Sequence, residues 1–145
     1  MKLSTKGEYG LLAIIDLALH SGHGPVQSFQ IAERQSIPKQ YLDQLMLSLK
    51  KAGLVESARG RLGGYFLARP AREISLLDIV TVLEGPVENT NFLERQSQER
   101  NPSRDRLKEV WSKLFSHTTE TLRVMTVEEF CEHHRRTQNQ IMYYI

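Results

Sequence analysis

The sequence predicts a mainly α-helical fold with a small β-hairpin wing, a winged helix-turn-helix followed by a long helix, and three features carry that prediction. Residues 36–69, SIPKQYLDQLMLSLKKAGLVESARGRLGGYFLAR, run from an amphipathic helix through a glycine stop into a hairpin with an arginine-bearing tip. A short helical segment lies directly before them, separated by a tight turn, as in a helix-turn-helix pair. An apolar stripe from Leu107 to Met125 then marks a helix longer than a small winged domain needs for its own core. The chain therefore divides into a winged domain (1–85), a loop (86–101), a long helix (102–125) and a C-terminal segment (126–145).

Each element has a local reason. Thr5-Lys6-Gly7-Glu8 has capping-box spacing and predicts the start of the first helix. Tyr9, Leu12, Ile15 and Leu19 mark its buried side, widened by Leu11, Ile14 and Ala18, and it ends near His20. Ser28 is the expected cap of a second helix, Phe29 to Arg34, with Ile31 and Ala32 facing inward. After the turn at Gln35-Ser36-Ile37, Ser36 is the expected N-cap of the third helix, with Pro38 in a first turn where its missing N–H costs little. Tyr41, Leu42, Leu45, Met46 and Leu49 share one face of that helix; Lys39, Gln40, Asp43, Gln44 and Lys50 share the other. Gly53 suits the left-handed position after the last turn. Leu54, Val55, Tyr65 and Phe66 are strand formers around a turn, Arg59 to Gly64, rich in residues that accept positive φ.

Ser75-Leu76-Leu77-Asp78 is a second capping box, opening a helix through Ile79, Val80 and Leu83 that Gly85-Pro86 stops. Residues 86–101 are polar and aperiodic apart from Val87, Phe92 and Leu93, and read as a long loop. Asn101-Pro102 has the form of N-cap plus N1. The long helix repeats apolar residues at Leu107, Val110, Trp111, Leu114, Phe115, Leu122 and Met125, with Thr118 and Thr121 in the same stripe. Beyond it, Val127, Phe130 and Cys131 form an apolar edge. The closing Ile141-Met142-Tyr143-Tyr144-Ile145 is too apolar for water and is expected to dock.

Composition excludes several classes. No run of eighteen apolar residues exists, so no bilayer span is expected, and the N-terminus lacks signal-peptide character. One cysteine, Cys131, excludes an intramolecular disulfide framework. A cytoplasmic protein is the expectation. The only nucleophile pair on offer, Cys131 with His134, has no orienting Asp or Asn and no glycine-rich oxyanion loop, so no enzyme is expected. His20 and His23 straddle a glycine loop without further ligands, and the adjacent His133 and His134 diverge on a helix, so neither pair reads as a zinc site.

The net charge of +2 hides an asymmetry. Residues 1–72 hold ten Lys and Arg against five Asp and Glu, whereas residues 73–145 hold nine against twelve. Within 50–72 the ratio is six to one, Glu56 being the single acid. A polyanion would meet the N-terminal half. On the third helix, Lys39 and Gln40 lie at the end that points into a major groove, Lys39 suited to phosphate. Gln44, one turn on, has the geometry for bidentate pairing with adenine. Tyr41 reads either as core or as a hydroxyl on phosphate, and Asp43 either as a cytosine acceptor or as the i, i+4 partner of Lys39. Ser28 and Gln30 are candidate phosphate anchors at the start of the second helix. The stripe of Leu107, Val110, Trp111, Leu114, Leu122 and Met125 suggests a partner, most simply a second copy; the alternative is packing back on the first and fourth helices.

The combined pattern resembles the IscR-like family of bacterial winged-helix regulators, which includes an iron–sulfur cluster regulator, a nitric-oxide-sensitive repressor and a cysteine-metabolism repressor. The resemblance rests on Tyr41-Leu42-Asp43-Gln44-Leu45, Leu49-Lys50-Lys51-Ala52-Gly53-Leu54-Val55 and Ser57 to Ala68. Met1 to Gly10 and the segment from Leu77 to Gly85 support it. It implies a homodimeric transcription factor on a palindromic operator, with Arg59 of the wing reaching into the minor groove, Arg61 as a second cation, and Gly60 and Gly63-Gly64 allowing close backbone approach. Cluster-binding relatives carry three cysteines in the loop before the long helix; here that loop has none, so no cofactor is expected. The residual ligand set would be Glu8, Cys131 and His133 or His134 from two subunits, against which Cys131 reads as a small buried hydrophobe. A small molecule or protein partner between the winged domain and the long helix is the other source of a signal. A dimeric winged-helix protein-interaction module is the competing function, and it leaves the basic ratio in 50–72 unexplained.

Overall fold

The first helix, α1 (Thr5–Leu19), opens one residue earlier than the capping-box spacing predicts. In the computed structural model, which describes residues 2–87 and 101–144, the Ser4 hydroxyl accepts from the Gly7 N–H at 3.2 Å. Ser4 is itself held by Glu84, whose Oε1 accepts from the Ser4 N–H at 2.9 Å and from its hydroxyl at 2.5 Å. A carboxylate eighty residues away thus displaces the Thr5–Glu8 box, which local spacing has no means of showing.

The second helix, α2 (Ser28–Gln35), is capped by Gln27 rather than Ser28: the Gln30 side chain accepts from the Gln27 N–H at 3.2 Å. Ser36 is also reassigned. It closes α2 in the left-handed conformation, φ 54° and ψ 41°, instead of opening the third helix, α3 (Lys39–Lys51). The turn is too short for one residue to do both. Ser36 N–H reaches the Glu33 carbonyl and Ile37 N–H the Ala32 carbonyl, so Pro38, in extended conformation, becomes the cap of α3. The far end of α3 follows the sequence reading: Gly53 has φ 72°, its N–H bonds the Lys50 carbonyl and Leu54 N–H the Leu49 carbonyl, both at 3.0 Å. That pair of bonds is a Schellman motif.

Two antiparallel strands, β1 (Val55–Ala58) and β2 (Gly64–Leu67), form the hairpin, in register from Val55 opposite Leu67 to Ala58 opposite Gly64. Val26 adds a bridge to Tyr65 on the outer edge, with N–H to carbonyl distances of 2.8 and 2.7 Å. The fourth helix, α4 (Leu76–Glu84), begins with the expected Ser75–Asp78 capping box, both bonds formed. Asn101 caps α5 (Pro102–Val124), with Pro102 at its start. A sixth helix, α6 (Val127–Tyr143), is opened by a Thr126–Glu129 capping box. Residues 88–100, including Phe92 and Leu93 of the expected loop, lie outside the described residues.

The core gathers Ile14 and Leu17 from α1, Ile31 from α2, Leu42, Met46 and Leu49 from α3, Leu54, Ile74, Ile79 and, from α6, Val127 and Cys131. Tyr41 stays at the rim, half exposed, its ring edge-on to Tyr9 with centroids 5.7 Å apart. The junction of α5 and α6 is pinned to α4 by Leu76 N–H to the Met125 carbonyl and Val127 N–H to the Ile74 carbonyl, each 2.9 Å. Of the expected edge on α6, Val127 and Cys131 are buried and Phe130 is exposed. The apolar end does not dock on its own chain: Ile141 to Tyr144 lie beyond the last core contact, with Tyr143 and Tyr144 93% exposed.

Candidate nucleic-acid interface

At about 100° per residue, the buried residues of α3 (Leu42, Leu45, Met46 and Leu49) centre on one side of the helix. Directly opposite lie Gln40, Gln44, Leu47 and Lys51, all exposed, with Asp43 at the flank. The side chains of Gln40 and Gln44 make no hydrogen bond with other described residues, so both keep their amide donors and acceptors. Lys39 does not: its ammonium donates to Asp43 Oδ2 at 2.7 Å. The structure thus selects the i, i+4 pairing for Asp43 over a free acceptor. Leu47 is an addition that the apolar spacing passed over because it lies off the buried stripe.

The wing is held to α3 at fixed geometry. Lys50 Nζ donates to Ser57 Oγ at 2.5 Å, joining the last turn of α3 to β1, and Ala68 N–H bonds the Leu54 carbonyl at 3.0 Å. Gly64 lies so close to the preceding segment that a Cβ there would sit 2.5 Å from the Val26 carbonyl oxygen. At the tip, Gly60 has φ 107° and its carbonyl accepts from Gly63 N–H at 3.0 Å, closing a turn with Arg61 and Leu62 at its corners.

Charge pairing refines the basic ratio of residues 50–72. Lys50 is held by the neutral Ser57 hydroxyl and keeps its charge; Arg69 and Arg72 have carboxylate neighbours at 3.9 Å (Asp78) and 3.7 Å (Glu73). Lys51, Arg59 and Arg61 are exposed and have no carboxylate partner among the described residues. The unneutralised cations of this segment therefore sit at the end of α3 and the tip of the wing. At the start of α2, Ser28 is the first helical residue and its N–H is one of the unpaired first-turn donors. Gln30 uses its oxygen for the cap, leaving its NH₂ to donate outward.

Behind the face, α1 and α2 are locked by a polar cluster that sequence reading missed. Asp16 is fully buried and accepts from Arg34 Nε at 3.0 Å, Arg34 Nη2 at 2.6 Å and Gln35 Nε2 at 2.9 Å. The bond to Asp16 raises the Arg34 pKa above its ordinary value. The signal was present as an acidic residue at i+4 from Leu12, inside the apolar stripe of α1.

No residue of α5 is fully buried. Phe115 and Leu122 sit on one edge of its stripe and turn toward their own chain, where Leu122 packs on the core. Leu107, Val110, Trp111, Leu114 and Met125 remain exposed along the rest. A cavity of about 490 Å³ lies where α5 meets α1 and α4, lined by Leu3, Leu11, Val80, Glu84, Trp111 and Phe115 among others. Cys131 does not line this cavity; it packs on α1, its Sγ 3.9 Å from the Ile15 carbonyl, and burial pushes its thiol pKa up. Glu8 is exposed two turns earlier on α1, so one chain does not bring Glu8, Cys131 and His133 together. Among the described residues no cluster of three His, Cys, Asp or Glu has metal-binding geometry.

A helix-turn-helix pair with an unengaged polar face and an arginine-tipped wing defines a winged-helix DNA-binding protein. The chain belongs to the Rrf2 family, described as iron-dependent transcriptional regulators, whose pattern matches residues 3–133. It is 37% identical over 145 residues, the full length of both chains, to the HTH-type transcriptional regulator CymR of Bacillus subtilis. It is 38% identical over 129 residues to IscR of Pectobacterium atrosepticum, covering 89% of this chain and 78% of that one. Among solved structures it is similar to CymR, the global cysteine regulator of B. subtilis, with a TM-score of 0.80 and 35% identity over 92% of this chain and 98% of that one. IscR of T. potens gives a TM-score of 0.79 and 40% identity over 95% and 91%. The chain is a transcriptional regulator of this family and not an enzyme.

Proposed function

We propose that the protein acts as a homodimer on a two-fold DNA site, with α3 in the major groove and the hairpin tip in the adjacent minor groove. The observation that carries this reading is the unneutralised pair Arg59 and Arg61 on a glycine-shaped tip, rigidly joined to a helix whose Gln40 and Gln44 are unengaged. A narrow minor groove concentrates negative potential and draws a guanidinium in. The glutamines match the donor–acceptor edge of adenine, and Tyr41, Ser28 and Gln30 lie where phosphate contacts would fix register. The exposed face of α5, through Leu107, Val110, Trp111, Leu114 and Met125, is the surface for the second copy. A protein-interaction module would leave the free arginines unexplained.

The family's iron dependence does not transfer through the donors present. A cluster needs thiolates or their few substitutes; the single cysteine is buried with a raised pKa, against a core helix. The cavity between α1, α4 and α5 supports a small, largely apolar signal molecule instead, whose binding would change the fluorescence of Trp111.

Selection from a randomised duplex library followed by a salt titration tests the DNA reading. Sequence-selective binding is expected, with log K falling linearly with log salt. Arg59→Ala should lower that slope by about two, one phosphate equivalent per protomer. Folded Arg59→Ala and Gln44→Ala proteins that bind the selected duplex like the parent would overturn the proposed readout.

A further inference from the structure

Of the large aliphatic residues on α3, Leu42, Leu45, Met46 and Leu49 are buried, and Leu47 points the other way, 56% exposed. It is not at the margin of the exposed face but near its centre. Gln44 lies three residues before it, Asp43 four before and Lys51 four after, so all three border its side chain on the helix surface. An isolated surface leucine needs no explanation by itself. This one is set between the unengaged Gln44 amide and the unpaired Lys51 ammonium, with Asp43 already paired to Lys39, on the face that charge complementarity turns toward a polyanion. The floor of a major groove offers an exposed leucine one apolar group, the C5-methyl of thymine.

We infer that Leu47 reads a thymine methyl group in the major groove, beside the position contacted by Gln44. The inference rests on the DNA-binding reading above and makes it specific: each half-site contains a thymine whose methyl, rather than its hydrogen-bonding edge, is recognised. Leu47 here is a specificity residue, additional to the polar contacts, and its contribution is independent of salt because no phosphate is neutralised.

The test uses the full-length protein and the duplex recovered by selection, with each thymine replaced in turn by deoxyuracil. That exchange removes the methyl and leaves every hydrogen-bonding group in place. The parent protein should lose about fourfold in affinity at one symmetry-related pair of positions for each methyl removed, the worth of one methyl group leaving water. Leu47→Ala should bind the thymine and deoxyuracil duplexes equally, with an unchanged salt slope. Its fold should survive, because the site is exposed and alanine is the strongest helix former. Leu47→Met should keep the preference. Selective binding by the parent without any deoxyuracil effect, or an effect that persists in Leu47→Ala, would overturn this inference and leave the DNA reading standing. Absence of any selected duplex would instead remove the DNA reading and this inference with it.

Discussion

Asp16 gives the sharpest prediction about stability. Its carboxylate is fully buried between α1 and α2 and accepts three hydrogen bonds, two of them from the Arg34 guanidinium in a bidentate pair. Removing one partner of a buried pair costs about 3–5 kcal/mol because the remaining charge is stranded. The Arg34 side chain is 34% exposed and can swing its charge back to water, which places Asp16→Ala at the lower end, about 3 kcal/mol. Against a stability of roughly 5–15 kcal/mol that is a large share. In urea, with a slope of about 2 kcal/mol per molar, the midpoint should fall by about 1.5 M with the slope unchanged. Replacing both partners together, Asp16→Leu with Arg34→Leu, should recover the parent stability to within about 1 kcal/mol, since neither charge is then stranded. A midpoint shift below about 0.3 M for Asp16→Ala would refute the claim that this cluster anchors the helix pair.

Three further outcomes follow from other sites. Ser36→Gly should raise stability by about 0.5–1 kcal/mol, because glycine adopts the left-handed φ of 54° without a Cβ penalty; differential unfolding of the two proteins in urea measures it. Glu84 is held below its ordinary carboxylate pKa, chiefly by the Ser4 hydroxyl and then by the Ser4 N–H. A depressed carboxylate pKa contributes stability that is present above the unfolded value of about 4.3 and is lost as pH falls through the lower folded value. The stability gap between the parent and Glu84→Gln should therefore be constant near neutrality and close below about pH 4, its size limited to a few tenths of a kcal/mol by solvent screening. Leu114→Glu should leave the monomer fold intact by circular dichroism, the residue being exposed, and shift sedimentation equilibrium toward monomer; an unchanged association constant would place the dimer surface elsewhere.

Much of the fold was legible because its signals are local. The α3 stop at Gly53, the capping box at Ser75 and the Asn101-Pro102 start each depend on residues within one turn of the feature they create. The misassigned starts have a common cause. Ser4 gives no local cap signal because its stabilising partner, Glu84, lies on another helix, and Ser36, the expected N-cap of α3, becomes a left-handed terminator of α2 because the α2–α3 turn is too short for both roles. The candidate interface was legible in residue type but not in pairing. Composition counted Lys39, Lys50, Arg69 and Arg72 equally with Arg59 and Arg61, whereas tertiary geometry engages the first four and leaves the last two free. Asp16 was hidden for the same reason: a buried carboxylate declares itself only when Arg34 and Gln35 of the next helix fold onto it. The apolar segment from Ile141 to Tyr144 finds no cover on its own chain, because the buried residues of α6, Val127 and Cys131, lie in its first turns.

Hydroxyl-radical footprinting on the selected duplex tests the central claim most directly, since it reports symmetry, groove and spacing in one measurement. Two protected blocks related by a two-fold axis, a whole number of helical turns of about 10.5 base pairs apart, are the predicted result. Each block should carry minor-groove protection at its flank that disappears in Arg59→Ala. A single asymmetric block, or flank protection that persists without the Arg59 guanidinium, would contradict a dimer that reads DNA with α3 and the wing tip.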